Sequence, residues 1–80
     1  MWTMLDSIFS RLRFIRALSG LARNEIAAKY PIPEVTLRRW ETGSIPLSKK
    51  GARRCIDMHK QEGIIATESW IFTGEGPRPF

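Results

Sequence analysis

With 80 residues, 42% of them apolar, the chain is long enough for one compact domain and too short for two. The net charge is +5, and 12 of the 13 basic residues lie between Arg11 and Lys60, which favours a polyanionic partner. A single cysteine and a single histidine exclude an intrachain disulfide and a zinc-ligand set. No apolar run approaches the roughly 20 residues of a membrane-spanning helix and no signal peptide is evident, so we expect a cytoplasmic protein.

The predicted elements are all helices. Proline and glycine divide the chain, and between these breaks the apolar residues recur at helical spacing, whereas no stretch alternates as a half-buried strand does. The five predicted helices span residues 5–19, 22–30, 33–41, 49–62 and 68–73. We therefore expect an all-α fold, a compact bundle of about five short helices in a domain of residues 1–74, followed by a tail of residues 75–80.

The boundaries of these helices depend on individual capping and helix-breaking residues. Pro31 ends the second helix because its ring disfavours helical geometry at Tyr30, and Pro33 is tolerated in the first turn of the third helix. Ser48 and Thr67 are the expected N-caps of the last two helices. The second and third helices are thus short and joined by a tight turn, a layout that can place a helix in the major groove of DNA.

The third helix has two faces of different chemistry. A helical wheel centred on Leu37 predicts a packed side that holds Pro33, Leu37, Trp40 and Glu41. The opposite side carries Val35 and Arg39, flanked by Thr36 and Arg38. An ordinary amphipathic surface helix would have the same pattern, so the wheel alone leaves open whether the outer face binds anything.

Three motifs occur together in the central part of the chain: an arginine on the first helix, E-I-A at residues 25–27 and T-L-R-R-W-E-T-G at residues 36–43. With them, residues 11–47 resemble the helix-turn-helix unit of the Cro/CI (XRE) family, and W-I-F-T-G-E-G at residues 70–76 is similar to a segment of many phage-type repressors. The resemblance implies a lambda-repressor-like DNA-binding domain and a dimer. Pro31 stands where many members have glycine, so this turn must be built without a positive φ angle.

The outer face of the third helix carries the residues that we expect to contact bases. Arginine can form two hydrogen bonds to guanine, the methyl groups of valine and threonine can meet a thymine methyl, and glutamate can accept a hydrogen bond from cytosine. The predicted base-reading residues are Glu34, Val35, Thr36, Arg38 and Arg39. Arg39 is better placed than Arg38, which lies toward the flank. Glu34 has a second explanation, because an acidic residue also favours the positive end of a helix.

Basic and polar residues near two helix starts are expected to contact the DNA backbone. Side chains and backbone amides at the start of the second helix can hold a phosphate. Cations at the start of the fourth helix lie at the positive end of the helix dipole, which is electrostatically unfavourable, and a bound phosphate would offset this repulsion. The predicted phosphate contacts are Arg23, Asn24, Lys49, Lys50, Arg53 and Arg54. The alternative for the basic run is a solvated helix face.

Four other side chains are assigned structural roles. Arg16 lies on the apolar side of the first helix and Glu41 on the packed side of the third. Because a charge on a core face needs a partner, we pair them, as the resemblance also implies. His59 is expected to be half-buried near the end of the fourth helix, where a cation is mildly favoured. Cys55 is expected to be a small core residue.

Together these features predict a dimeric repressor or autoregulator that binds a palindromic operator in double-stranded DNA, without a cofactor, metal or small-molecule ligand. Several large apolar residues lie beyond the main stripe of the first helix: Trp2, Phe9, Phe14, Leu18, Trp70, Ile71 and Phe72. We expect some of them to bury one another and the excess to form a subunit interface. The alternative is an antitoxin-like module that binds a partner protein as well as its own promoter. A cationic membrane-surface protein would need one long amphipathic helix, and an enzyme would need a nucleophile–base pair, a metal site or a phosphate-binding glycine loop.

Overall fold

The computed structural model describes residues 7–79, and this part of the chain holds five α-helices and no strand. The helices are α1 (Ile8–Ser19), α2 (Arg23–Lys29), α3 (Glu34–Thr42), α4 (Lys49–Gln61) and α5 (Glu68–Thr73). The prediction of an all-α fold with five short helices is confirmed. The expected start of the first helix at Leu5 lies outside the described residues. Within residues 7–79, no helix is both long enough and apolar enough to cross a membrane.

Serine and threonine caps determine where three of the helices begin. The caps are Ser7, Ser48 and Thr67, and each has an extended backbone and a hydroxyl oxygen that accepts a hydrogen bond from the amide three residues later. The predicted caps Ser48 and Thr67 are confirmed. Ser7 and Ser10 form a reciprocal pair, in which each backbone amide donates to the other hydroxyl oxygen at 3.2 Å. These bonds fix the start of α1 at Ile8.

Two prolines build the turn between α2 and α3, and none of its residues has a positive φ angle. Tyr30 is extended, with φ −125° and ψ 152°, because Pro31 disfavours helical geometry in the residue before it. The Ile32 amide donates to the Tyr30 carbonyl oxygen at 2.7 Å, which closes a three-residue turn around Pro31. Pro33 is the exposed N-cap of α3, so its predicted place on the packed side is wrong: it precedes the helix and does not follow the helical periodicity.

The core lies where the five helices pack against one another. The most deeply buried large side chains, none more than 2% exposed, are Ile15, Ile26, Trp70 and Ile71. Trp70 and Ile71 therefore belong to this core and not to an outer surface. Close approach of α4 to Trp40 requires Gly51, because a Cβ at that position would lie 2.8 Å from the indole Cζ2 atom. A glycine inside a helix costs about 0.5–1 kcal/mol, which explains its use only where packing demands it.

Two arginines of α1 bind the C-terminal ends of other helices. Arg13 donates through Nη1 to the carbonyl oxygen of Glu41 at 2.7 Å, near the end of α3. Arg11 is 5% exposed and donates through Nε to the carbonyl oxygen of Ile71 at 2.8 Å, in the last turn of α5. Cations are favoured there because the last carbonyl groups of a helix carry partial negative charge. No role was predicted for Arg11, although it shares the buried face of α1 with Ile15.

The carboxylate of Glu41 is the charged centre of the fold, with a side chain only 4% exposed. Arg16 Nε lies 3.0 Å from Oε1 and 2.9 Å from Oε2, and Arg23 Nη1 lies 3.3 Å from Oε1. Arg16 also donates through Nη1 to the Leu21 carbonyl oxygen at 3.2 Å, across the turn between α1 and α2. The predicted pair of Arg16 and Glu41 is confirmed. A second cation from α2 joins it, so one carboxylate connects α1, α2 and α3.

Removal of either partner of the Arg16–Glu41 pair is expected to destabilise the fold. Arg16→Ala leaves a buried carboxylate with less compensation, and Glu41→Ala leaves two guanidinium groups without their acceptor. Each change should lower the free energy of unfolding by about 3 kcal/mol or more. Urea unfolding followed by circular dichroism measures the change.

The matched control for these variants is Arg53→Ala. Arg53 forms an exposed ion pair with Glu68 at 3.7 Å, and loss of an exposed pair has little effect on stability. If the Arg16→Ala or Glu41→Ala protein unfolds at the same urea concentration as the wild type, the buried pair does not stabilise the fold.

The buried face of α4 contains the cysteine and the histidine of the chain. Cys55 is 3% exposed and is a core residue, as predicted, and burial raises the pKa of its thiol to about 12. His59 is 4% exposed, and burial lowers its pKa, so the expectation of a half-buried side chain that favours a cation is wrong. The loss of water on this face outweighs the attraction of the helix end. His59 Nδ1 donates to the Cys55 carbonyl oxygen at 2.8 Å, and Nε2 has no partner in residues 7–79.

The stability of the protein is expected to fall as the pH decreases below 6.5. Burial lowers the pKa of His59 from its ordinary value of 6.5, so the unfolded chain takes up a proton at a pH at which the folded chain does not. The stabilisation is therefore complete above the unfolded pKa and is lost as the pH falls toward the folded pKa. Thermal unfolding between about pH 7.5 and pH 5 measures this change.

The contribution of the carboxylates to the pH dependence of stability falls in a lower pH range than that of His59, so the two contributions can be distinguished. The hydrogen bond from Lys29 is the main cause that lowers the pKa of Glu62 from 4.5, so its contribution is lost only in more acidic solution. His59→Gln is the control, because it removes the only histidine of the chain. We expect its midpoint to be nearly constant in this range. If the unfolding midpoint changed equally with pH in the wild type and in the variant, the loss of stability would be due to groups other than His59.

Candidate nucleic-acid interface

The outer face of α3 holds the residues predicted to contact bases. Glu34, Val35, Arg38 and Arg39 are exposed, and Thr36 is half-buried. Val35 keeps 39% of its surface in contact with solvent, so its methyl groups are available for an apolar contact. The guanidinium groups of Arg38 and Arg39 have no hydrogen bond or ion pair within the described chain. The opposite face is buried, as the wheel predicts, with Pro33 as the exception noted above.

A cleft of about 270 Å³, with both polar and apolar side chains in its lining, separates α3 from the start of α4. Pro33, Thr36 and Trp40 line one side, and Lys50 and Arg54 line the other. The cleft thus brings a predicted base-reading residue together with two predicted phosphate contacts. No pattern in the sequence indicated this arrangement, because it depends on how α4 packs against α3.

The basic residues of α4 form two rows, because residues four apart lie on the same side of a helix. Arg54 Nη2 donates to the carbonyl oxygen of Pro31, so the row of Lys50 and Arg54 borders the turn and α3. Arg53 lies on the other side and forms an ion pair with a carboxylate of α5 at 3.7 Å. Lys49 shares that side, one turn earlier. All four residues were predicted to contact phosphates, whereas only the row of Lys50 and Arg54 lines the cleft beside α3.

The two predicted phosphate contacts on α2 differ in their environment. Arg23 is half-buried and donates to the Glu41 carboxylate, so part of its charge is compensated inside the fold. Asn24 is exposed, with no side-chain hydrogen bond in residues 7–79. No side chain caps α2 at Ala22, whose backbone amide instead donates to the Glu25 carboxylate at 2.8 Å. Asn24 and the uncompensated part of Arg23 therefore remain accessible at this helix start.

Uncompensated positive charge is concentrated on α3 and α4. Arg38, Arg39, Lys49 and Lys50 are exposed and have no ion-pair partner among the described residues. The first turn of α4 contains no acidic residue, so its lysines lie at the positive end of the helix dipole. A negatively charged ligand would relieve both the mutual repulsion of these cations and their repulsion by the helix end. Residues 7–79 contain no group of three metal-ligating side chains.

Comparison with known proteins found no matching family model, no matching curated protein and no matching solved structure. The proposed function therefore rests on the arrangement of the side chains in this protein. Their arrangement combines an exposed helix face with two unpaired arginines, a small apolar side chain between polar ones, and cations on a neighbouring helix.

Proposed function

We propose that the chain is a cytoplasmic, non-enzymatic transcription regulator that binds double-stranded DNA in a sequence-specific manner, with α3 in the major groove. The observation that carries this proposal is the outer face of α3, which exposes Val35, Arg38 and Arg39 to solvent, with no partner for either guanidinium group among residues 7–79. An α-helix fits the width of the major groove, and these residue types match the donors, acceptors and methyl groups that base pairs present there.

The row of Lys50 and Arg54 supports the same proposal through the DNA backbone. A helix in the major groove is flanked by phosphates, and these two cations line the cleft next to α3. Arg54 is already oriented by the Pro31 carbonyl oxygen and retains further N–H groups for a phosphate oxygen. Arg53 pairs with a carboxylate of α5, and Lys49 lies in the same row one turn earlier, so we assign these two residues a weaker, long-range electrostatic role.

We further propose that the protein binds a palindromic operator as a homodimer. Part of the apolar surface considered for the interface lies inside the fold, since the Phe14 and Trp70 rings pack with centroids 6.4 Å apart. Leu18 and Ile65 remain 41% and 61% exposed, and neither lies on the outer face of α3. Two copies related by a two-fold axis would present two α3 helices to half-sites about one helical turn apart, roughly 34 Å. The same exposed side chains would serve a partner protein in the antitoxin-like alternative.

Arg39 is expected to read a guanine, whereas Arg38 is expected to contact a phosphate. Selection of bound sequences from random DNA should give a palindromic consensus, and failure to enrich any sequence would contradict the proposed function. On that consensus, Arg39→Ala should cost about 1–3 kcal/mol and relax the preference at one base pair per half-site. Arg38→Ala should weaken binding with little change in preference. Titration of both variants against operators changed at single base pairs measures the difference. If Arg38 carries the base preference, the orientation of α3 in the groove is wrong.

The two basic rows of α4 provide a matched comparison with the same change in charge. The double variant Lys50→Ala/Arg54→Ala should weaken binding to all sequences and reduce the salt dependence of the affinity by about two ions. The double variant Lys49→Ala/Arg53→Ala removes the same charge from the same helix and should have a smaller effect on both quantities. Affinity measured at several salt concentrations gives the slope, and urea unfolding checks that both variants fold. Equal losses in the two variants would mean that the position relative to α3 is unimportant.

A further inference from the structure

The cleft between α3 and α4 contains a hydroxyl group that no contact inside the described chain uses. Thr36 lines the cleft, and its Oγ1 has no hydrogen-bond partner among residues 7–79. The hydroxyls of Thr42 and Thr73 differ, because each donates to the carbonyl oxygen four residues earlier, at 2.8 and 2.6 Å. Thr36 has no such carbonyl, since Ile32 lies before the start of α3 at Glu34. Its hydroxyl is therefore available to a ligand.

Two cations line the other side of the cleft from this hydroxyl. Arg54 donates through Nη2 to the carbonyl oxygen of Pro31, which restricts its guanidinium beside the cleft. Lys50 is exposed and has no ion-pair partner in the described chain. No carboxylate is present among the described residues that line the cleft. A hydroxyl donor and two cations, with no carboxylate between them, are suited to an anion with several acceptor oxygens.

The remaining lining also favours an anion. The Ser48 hydroxyl oxygen accepts a hydrogen bond from the Gly51 amide at 3.0 Å, which leaves the hydroxyl proton free to donate. Pro33 and Trp40 give the α3 side an apolar surface. Because such a surface lowers the local dielectric, the attraction between an anion and the nearby cations is stronger than in open water. The volume of about 270 Å³ is many times what one water molecule needs, so a phosphate group can enter.

Thr36 lies at the edge of the outer face of α3 and not at its centre. An α-helix turns by about 100° per residue, so Val35 and Arg39 lie within about 40° of each other at the centre of the face. Thr36 and Arg38 are about 160° apart around the same axis, on opposite edges of the face. A helix in the major groove lies between the two phosphate backbones that border it. The two edges would therefore meet phosphates of different strands.

We propose that the cleft binds one phosphate of the DNA backbone, with Thr36, Lys50 and Arg54 as its donors. This inference rests on the proposed DNA binding and changes the role expected for Thr36, which becomes a phosphate contact instead of a base-reading residue. Arg38 contacts a phosphate of the opposite strand. Contacts to both backbones fix the rotation of α3 in the groove, and only the centre of its outer face reads bases.

Two substitutions separate the hydroxyl of Thr36 from its methyl group. Thr36→Val keeps the methyl and removes the hydroxyl, so it should weaken binding to all sequences about tenfold without a change in base preference. Thr36→Ser keeps the hydroxyl and should bind within about twofold of the wild type. Thr73→Val makes the same change on α5, where the hydroxyl already has a partner, and should leave the affinity unchanged. Relaxed preference at one base pair in Thr36→Ser would mean that the methyl reads a base, and would overturn the proposal.

Neutral methylphosphonate linkages, placed one at a time in each strand of the selected operator, locate the phosphate. At one linkage the wild type and Thr36→Val should bind within about twofold of each other, because the contact is then absent in both. The loss caused by Lys50→Ala/Arg54→Ala should be smallest at the same linkage, and the loss caused by Arg38→Ala at a linkage of the opposite strand. If Thr36→Val and Lys50→Ala/Arg54→Ala identify different linkages, the three donors do not share a phosphate and the proposal is wrong.

The wild-type protein distinguishes a failure of this inference from a failure of the proposed function. If the wild type enriches no sequence from random DNA, the proposed function fails and this inference fails with it. If the wild type binds a consensus and Thr36→Val binds it equally tightly, only the assignment of Thr36 and the cleft is wrong. Urea unfolding of each variant checks that a loss of affinity is not a loss of folded protein.

Discussion

The position of α3 depends on one buried carboxylate. Glu41 lies in the last turn of α3, and its oxygens accept hydrogen bonds from Arg16 of α1 and Arg23 of α2, while its backbone carbonyl oxygen accepts one from Arg13. The two helices that precede α3 are therefore fixed to it by the same residue. An unpaired charge at this depth would be costly, so arrangements of the helices that separate the arginines from Glu41 are disfavoured. The outer face of α3 is presented to solvent as a consequence of how its inner face is held.

The positive charge of the chain serves two different purposes. Arg11, Arg13 and Arg16 of α1 bind carbonyl or carboxylate oxygens inside the fold. The arginines of α3 have no such partner in the part of the chain that the structure describes, although they lie close to the same helix end that Arg13 caps. Net charge cannot distinguish these two uses, since both contribute equally to it. The hydrogen bonds and ion pairs of each side chain are needed to distinguish them. They show that the uncompensated positive charge is concentrated on α3 and the start of α4, and is not spread over the whole middle of the chain.

Much of the fold could be predicted from local signals, whereas tertiary contacts decided the rest. Prolines, glycines and serine or threonine caps act within a few residues, so helix boundaries and the inner face of α3 were predictable. Arg53 and His59 were not, because their roles depend on α5 and on burial between helices. Arg11 could have been found by the reasoning that paired Arg16, since a charge on an apolar face needs a partner. The cleft between α3 and α4 has no counterpart in the sequence.

The turn built around Pro31 links the two parts of the proposed interface. Because the turn has no glycine, its shape is limited by the proline ring and by the Ile32–Tyr30 hydrogen bond. The Pro31 carbonyl oxygen in this turn accepts a hydrogen bond from the guanidinium of Arg54. The same residue therefore lies next to the start of α3 and orients a cation of the basic row of α4. An arginine held in this way loses less conformational freedom when it binds a phosphate than one that is free in solvent. The departure from glycine in this turn therefore does not weaken the proposed interface; it gives one of its cations a fixed position.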